Sequence, residues 1–154
     1  MGAVAPRTID DLHRLIRSAK EGRGEPVVVR MMDERRLRLY IGYYSGENRR
    51  LLKEICGRRT RPEWTGTCWL VARVHLDRLI DVLSDEYSEL WLVREHNPAE
   101  KCAPACRRAV GHHCGCACEG RNHGIDDARG WKDISETFSI RHHGRRLSLR
   151  RFST

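Results

Sequence analysis

No stretch of this chain approaches the roughly 20 apolar residues needed to span a bilayer. The opening "MGAVAPRTIDDLHRLIRSAKEG" also lacks an apolar core followed by a small-residue cleavage site. Both absences lead to the expectation of a cytoplasmic protein with no membrane partner. There is no internal repeat and no low-complexity tract, which argues against solenoid and fibrous architectures. The zinc-deaminase arrangement, H-x-E ahead of P-C-x-x-C, is missing as well. Lysine is scarce, 4 against 25 arginines, so positive charge is carried almost wholly by guanidinium groups, a bias that GC-rich coding also produces.

What is present fits one soluble domain. At 154 residues the chain can bury a core but is too short for a motor or a large multidomain enzyme, and 40% apolar with 32% charged residues is ordinary for a folded protein. The net charge of +8 is uneven. Residues 1–100 carry 18 Lys and Arg against 16 Asp and Glu, whereas residues 101–154 carry 11 against 5. A concentrated positive surface attracts polyanions through phosphate neutralisation and counterion release.

The patterning gives an element order. Thr8 is placed to cap a helix over 8–22 with Ile9, Leu12, Ile16 and Ala19 on one face, stopped by Gly22 and Gly24. The run "EPVVVRMMDERRLRLYIGYY" holds two β-rich segments about Asp33-Glu34, with Leu37, Leu39 and Ile41 alternating against Arg36, Arg38 and Tyr40. Ser45 is placed to cap a helix carrying Leu51, Leu52 and Ile55, closed near Gly57. A strand pair about Thr65-Gly66 follows, then a helix with Leu76, Leu79, Ile80 and Leu83, then the buried strand "ELWLVRE". Asn97-Pro98 marks a break. Near the end, "TFSIRHHGRRLSLRRFST" alternates on both sides of His143-Gly144 and carries five arginines and no acid. The expected fold is α+β in one domain, 1–154: a small mixed or antiparallel sheet with two to three helices, made up of the N-terminal helix over 8–22, an α/β part over 26–96, a metal-binding module over 99–125, and a basic β-hairpin over 136–152.

Between those parts lies "CAPACRRAVGHHCGCACEGRNHG", Cys102 to Gly124, which holds five of the seven cysteines. An odd total in a reducing compartment favours metal ligation over structural disulfides. The spacing C-x3-C-x7-C-x-C-x-C-x4-H supplies Cys102, Cys106, Cys114, Cys116, Cys118 and His123 as candidate ligands. Sulfurs on one zinc sit about 3.8 Å apart, given Zn–S bonds of about 2.3 Å. Residues i and i+4 of a flat strand are roughly 13 Å apart, so the three cysteines of the C-x-C-x-C run cannot share a metal unless the chain curls. One Zn2+ held by Cys102 and Cys106 with two of Cys114, Cys116, Cys118 and His123 is the favoured arrangement, ahead of an iron–sulfur cluster. The surplus of ligands points to a closed structural site rather than a catalytic one with an open position.

From Leu37 to Tyr87 a strand, a helix, a turn-linked strand pair ending "CWLV" and the helix "HLDRLIDVL" follow one another. This run resembles the HARP domain of annealing helicases, with Trp69-Leu70-Val71 at the family's W-x-V/F step and Arg58, Arg59 and Arg61 where its pattern turns basic. The resemblance covers about 50 residues, excludes the helicase ATPase, and implies a nucleic-acid-binding module. The C-x-C-x-C tail with "GRNHG" is similar to a cysteine module of uncharacterised actinobacterial and phage-associated proteins, which implies no function. "LYIGYY", Leu39–Tyr44, matches half of the GIY-YIG nuclease signature; "VVVRMM" stands where the other half belongs, so no catalytic role is carried over.

Apart from any family, "GRRTRPEW" sets guanidinium groups for phosphates beside Trp64. An aromatic face stacks a base for about 1–3 kcal/mol. Trp69, in an apolar run, is expected in the core, leaving Trp64 as the contact candidate. The expected nucleic-acid-binding set is Arg58, Arg59, Arg61, Trp64, Arg141, Arg145, Arg146, Arg150 and Arg151. The favoured function is a zinc-stabilised, non-catalytic or accessory nucleic-acid-binding protein, DNA favoured. The alternatives are a phage or mobile-element regulatory protein binding a protein partner, and a small nucleic-acid-processing enzyme using Glu63, Glu119, Asp126 or Asp127 with His123 or His75.

Overall fold

A capping box opens the first helix. In the computed structural model, which describes residues 7–42, 47–59, 61–96, 134–142 and 145–153, the Thr8 hydroxyl accepts from the Asp11 amide at 3.2 Å. The Asp11 carboxylate accepts in return from the amides of Arg7 at 3.0 Å and Thr8 at 3.2 Å. These bonds satisfy amides that have no partner within the helix. Helix α1 runs Ile9–Lys20 and ends where Gly22 takes φ +72.

The expected order of elements follows. Strands β1, Val27–Arg30, and β2, Arg36–Tyr40, form an antiparallel hairpin with Val28 opposite Leu39. Helix α2, Glu47–Cys56, is closed by Gly57 at φ +99, whose amide donates to the Lys53 carbonyl at 2.8 Å. Strands β3, Glu63–Trp64, and β4, Trp69–Ala72, pair about a turn with Gly66 at φ +96. A 3₁₀ turn, Arg73–His75, leads into α3, Leu76–Tyr87, and then into β5, Glu89–His96. Strands β6, Ile134–His142, and β7, Arg145–Ser153, pair antiparallel. Ser45 and the residues of the 99–125 module lie outside the described residues.

Among the described residues the strands form one seven-stranded sheet in the order β3-β4-β2-β1-β5-β7-β6. It is mixed. β5 lies parallel to β1, with Val28 opposite Leu92, and the other pairs are antiparallel. The parallel pair is possible because α3 carries the chain from β4 back across the sheet before β5 begins.

Alternation along each strand then divides the core in two. Val28, Leu37, Leu39, Trp69, Val71, Leu90, Leu92 and Phe152 share one cluster with α2 and α3, through Leu52, Ile55, Leu76, Leu79, Ile80 and Leu83. Val27, Val29, Trp91, Val93, Leu147 and Leu149 share the other with Leu12 and Ala19 of α1. The sheet is therefore a middle layer, with α1 on one face and α2 and α3 on the other. Leu90, Trp91, Leu92 and Val93 are fully buried in sequence, as expected of a strand covered on both faces.

The C-terminal pair is built into the sheet. β7 is an interior strand, paired with β5 from Glu89 opposite Ser153 to His96 opposite Arg146. Leu147, Leu149 and Phe152 belong to the two cores. Among the described residues no helix is long and apolar enough to cross a membrane.

Candidate nucleic-acid interface

β3 is a two-residue edge strand, so among the described residues its outer side has no neighbour in the sheet. Trp64 on β3 and Trp69 on β4 are register partners. Their rings lie 5.3 Å apart at a 52° tilt, within the range of favourable aromatic pairs. Trp69 is 4% exposed and forms part of the core, whereas Trp64 is 36% exposed.

Helix α2 adds a cation to this pair. Its inner face buries Leu52, Ile55 and Cys56, and buried Asn48 donates to the Gly42 carbonyl at 2.8 Å, fixing α2 against the end of β2. Arg49, the next residue and exposed, reaches Trp69, with its guanidinium carbon 5.4 Å from the ring centroid. Arg58, Arg59 and Arg61 are exposed in the connection from α2 to β3, three of them within six residues of Trp64 in the chain. An accessible indole thus stands at the sheet edge, with Arg49 over its partner ring and three exposed arginines in the connection that leads into β3.

The turn behind that edge is rigidly bonded. The Thr65 amide donates to the Cys68 carbonyl at 3.0 Å, and the Thr65 hydroxyl accepts from the amides of Cys68 at 3.1 Å and Thr67 at 3.3 Å. These bonds set β3 against β4 and hold the two indoles together.

The C-terminal arginines divide differently from the sequence-based expectation. Arg150 is 3% exposed and sits on the sheet face shared by Phe152. Arg151 pairs with Glu89 and with Glu25 at 3.4 Å, and its guanidinium lies 5.8 Å over Trp91. Both are structural in their surroundings. Arg146 is partly exposed opposite Arg141, and Arg145 lies opposite His142 at the same end of the β6/β7 pair. That end is remote in sheet order from Trp64, with β4, β2, β1 and β5 between β3 and β7. Arg58, Arg59, Arg61 and Trp64 are neighbours in the chain, and the sheet order separates the Trp64 edge from the C-terminal set.

Arg30 and Arg94 share a sheet face with Arg150, which the sequence does not mark. Arg30 lies opposite Arg94, and Arg150 opposite Leu92, on adjacent strands β1, β5 and β7 and on one sheet face by alternation. Nothing in "VVVR" or "WLVRE" marks this convergence, because strand order is set at long range. Arg49 was equally silent, being one charge on an amphipathic helix.

Of the candidate acids and bases, Glu63 and His75 are among the described residues. Glu63 is exposed and accepts from Arg36 at 2.7 Å. Cys102, Cys106, Cys114, Cys116, Cys118 and His123, with Glu119, Asp126 and Asp127, lie outside the described residues. Among the described residues no group of three His, Cys, Asp or Glu side chains could hold a metal ion. The two described cysteines, Cys56 and Cys68, are buried and form no disulfide among the described residues, and burial pushes the Cys56 thiol up to about 11. No protein-family model, curated protein or solved structure matches this chain.

Proposed function

We propose that this protein binds nucleic acid, DNA by preference, at the β3–β4 sheet edge, in a non-catalytic or accessory role. The observation that carries the reading is the accessible Trp64 beside Trp69, with Arg49 over the inner ring and Arg58, Arg59 and Arg61 exposed in the segment leading into β3. An indole supplies a stacking surface for an unpaired base, and guanidinium groups neutralise the phosphates on either side of it. Because stacking needs an unstacked base, single strands fit the edge better than duplex. The likeness of residues 37–87 to HARP domains supports the same reading. In it, the cysteine-rich segment holds one structural Zn2+ through four of Cys102, Cys106, Cys114, Cys116, Cys118 and His123.

The test is a titration of zinc-loaded protein, its metal content fixed by elemental analysis, with labelled single- and double-stranded oligonucleotides over a range of salt. Binding is expected to weaken steeply as salt rises. Trp64→Ala is expected to weaken single-strand binding by about five- to a hundredfold, the equivalent of about 1–3 kcal/mol of stacking. No salt-sensitive binding at micromolar protein, or a Trp64→Ala protein that binds like the parent, would sink the reading. A stable protein complex that survives nuclease treatment would favour a protein partner instead.

A further inference from the structure

On the sheet face opposite Trp64 lies an open groove of about 540 Å³, over β2 and β4. Strand alternation builds it. Arg36, Arg38 and Tyr40 leave the face whose other residues, Leu37 and Leu39, enter the α2/α3 core, and Leu70 does the same between Trp69 and Val71. Arg35, Glu34 and Thr65 complete the walls that matter here. Its size falls within the range of small-molecule sites.

The charge in the groove is unbalanced. Three guanidinium groups line it against a single carboxylate, Glu34. Glu34 accepts from Arg38, one bond being Nε to Oε2 at 2.9 Å, and its main-chain oxygen accepts from Arg73 at 3.4 Å. Arg36 is held by Glu63 at 2.7 Å, with the two side chains 46% and 56% exposed. An exposed pair of that kind is weak and readily exchanged for a stronger anion. Arg35 is exposed and makes no ion pair among the described residues. Planar guanidinium groups grip phosphate oxygens two at a time, and three of them match a dianion better than a single carboxylate.

We propose that this groove binds a phosphomonoester, the phosphate of a free nucleotide or the terminal phosphate of a nucleic-acid strand, through Arg35, Arg36 and Arg38. Tyr40, Leu70 and Cys68 provide the less polar wall for the group attached to the phosphate. Burial pushes the Tyr40 phenol above its ordinary value, so it stays protonated as a donor. The site stands on residues separate from the Trp64 edge and does not depend on that reading.

Calorimetric titration of the 154-residue chain with AMP, adenosine and inorganic phosphate, and with one oligonucleotide carrying either a 5′-phosphate or a 5′-hydroxyl, tests it. AMP should bind at least about tenfold tighter than adenosine, as charge-assisted bonds to a dianion require. Inorganic phosphate should compete. If the phosphorylated oligonucleotide outbinds its hydroxyl form as AMP outbinds adenosine, strand ends are the source; if only AMP shows the preference, a free nucleotide is, and either result supports the site. The double variant Arg36→Gln, Arg38→Gln should lose the preference. Arg35→Gln, an exposed change that leaves the fold intact, should reduce it. The preference for AMP over adenosine should survive Trp64→Ala. Equal binding of AMP and adenosine together with equal binding of the two oligonucleotides would overturn the proposal, as would a preference that survives in the arginine variants. Oligonucleotide binding that is lost in Trp64→Ala yet indifferent to the terminal phosphate would overturn this groove while leaving the sheet-edge reading in place.

Discussion

Glu89 begins β5, Arg151 lies near the end of β7, and Glu25 precedes β1, yet their side chains form one ion-pair group. Arg151 holds the Glu89 carboxyl below its ordinary value of 4.5. A carboxylate depressed in the folded state contributes stability that is complete above the ordinary value and is lost as the pH falls through the lower folded value. Urea midpoints followed from neutral pH downward should therefore drop more steeply below 4.5 in the parent than in Glu89→Gln, which lacks the ionisable group. An identical acid limb in the two proteins would count against this account. The residue scale is also where the sequence was most and least legible. Trp69 was readable as core from its apolar run, and Trp64 as the accessible partner. Arg150 was not readable as buried, nor Arg151 as held in ion pairs, because local alternation marks two faces of a strand without saying whether both are covered.

At the scale of elements, the β3–β4 turn decides whether Trp64 is presented at all. Gly66 has φ +96, and a Cβ there would meet nothing within 4 Å. The cost of Gly66→Ala is therefore backbone strain rather than collision, about 1 kcal/mol. The variant should lower the urea midpoint modestly while quickening hydrogen exchange at the Thr65 amide, which bonds across the turn. An unchanged exchange rate would mean that the turn tolerates a side chain and does not hold the edge. Thr65-Gly66, like the Thr8 cap and the Gly57 stop, was legible because turn and cap chemistry acts over a few neighbouring residues. The α2 start was less so, Ser45 lying outside the described residues while Asn48 makes the bond to Gly42.

For the molecule as a whole, the parallel β1/β5 pair and the insertion of β7 beside β5 join residues 27–30, 89–96 and 145–153 into one sheet. Leu149 is fully buried against α1's side of that sheet, so Leu149→Ala should cost about 2–5 kcal/mol, measured by urea denaturation. A merely appended ribbon would lose well under that, and a change near zero would contradict the interior placement of β7. The sequence by itself determined the α+β class, the order of elements, their caps and turns, and the apolar face of each, since hydrophobic period and local hydrogen bonding act within a segment. It also placed Trp64 and its basic neighbours together, because they are close in the chain. Only the tertiary structure decided the strand order, the two-sided cover that buries Arg150, the ion pairs of Arg151 with Glu25 and Glu89, the arrival of Arg49 at Trp69, and the arginine groove on the opposite face. Those depend on contacts between residues far apart in sequence, whose pairing is fixed by packing of the whole sheet rather than by any local signal.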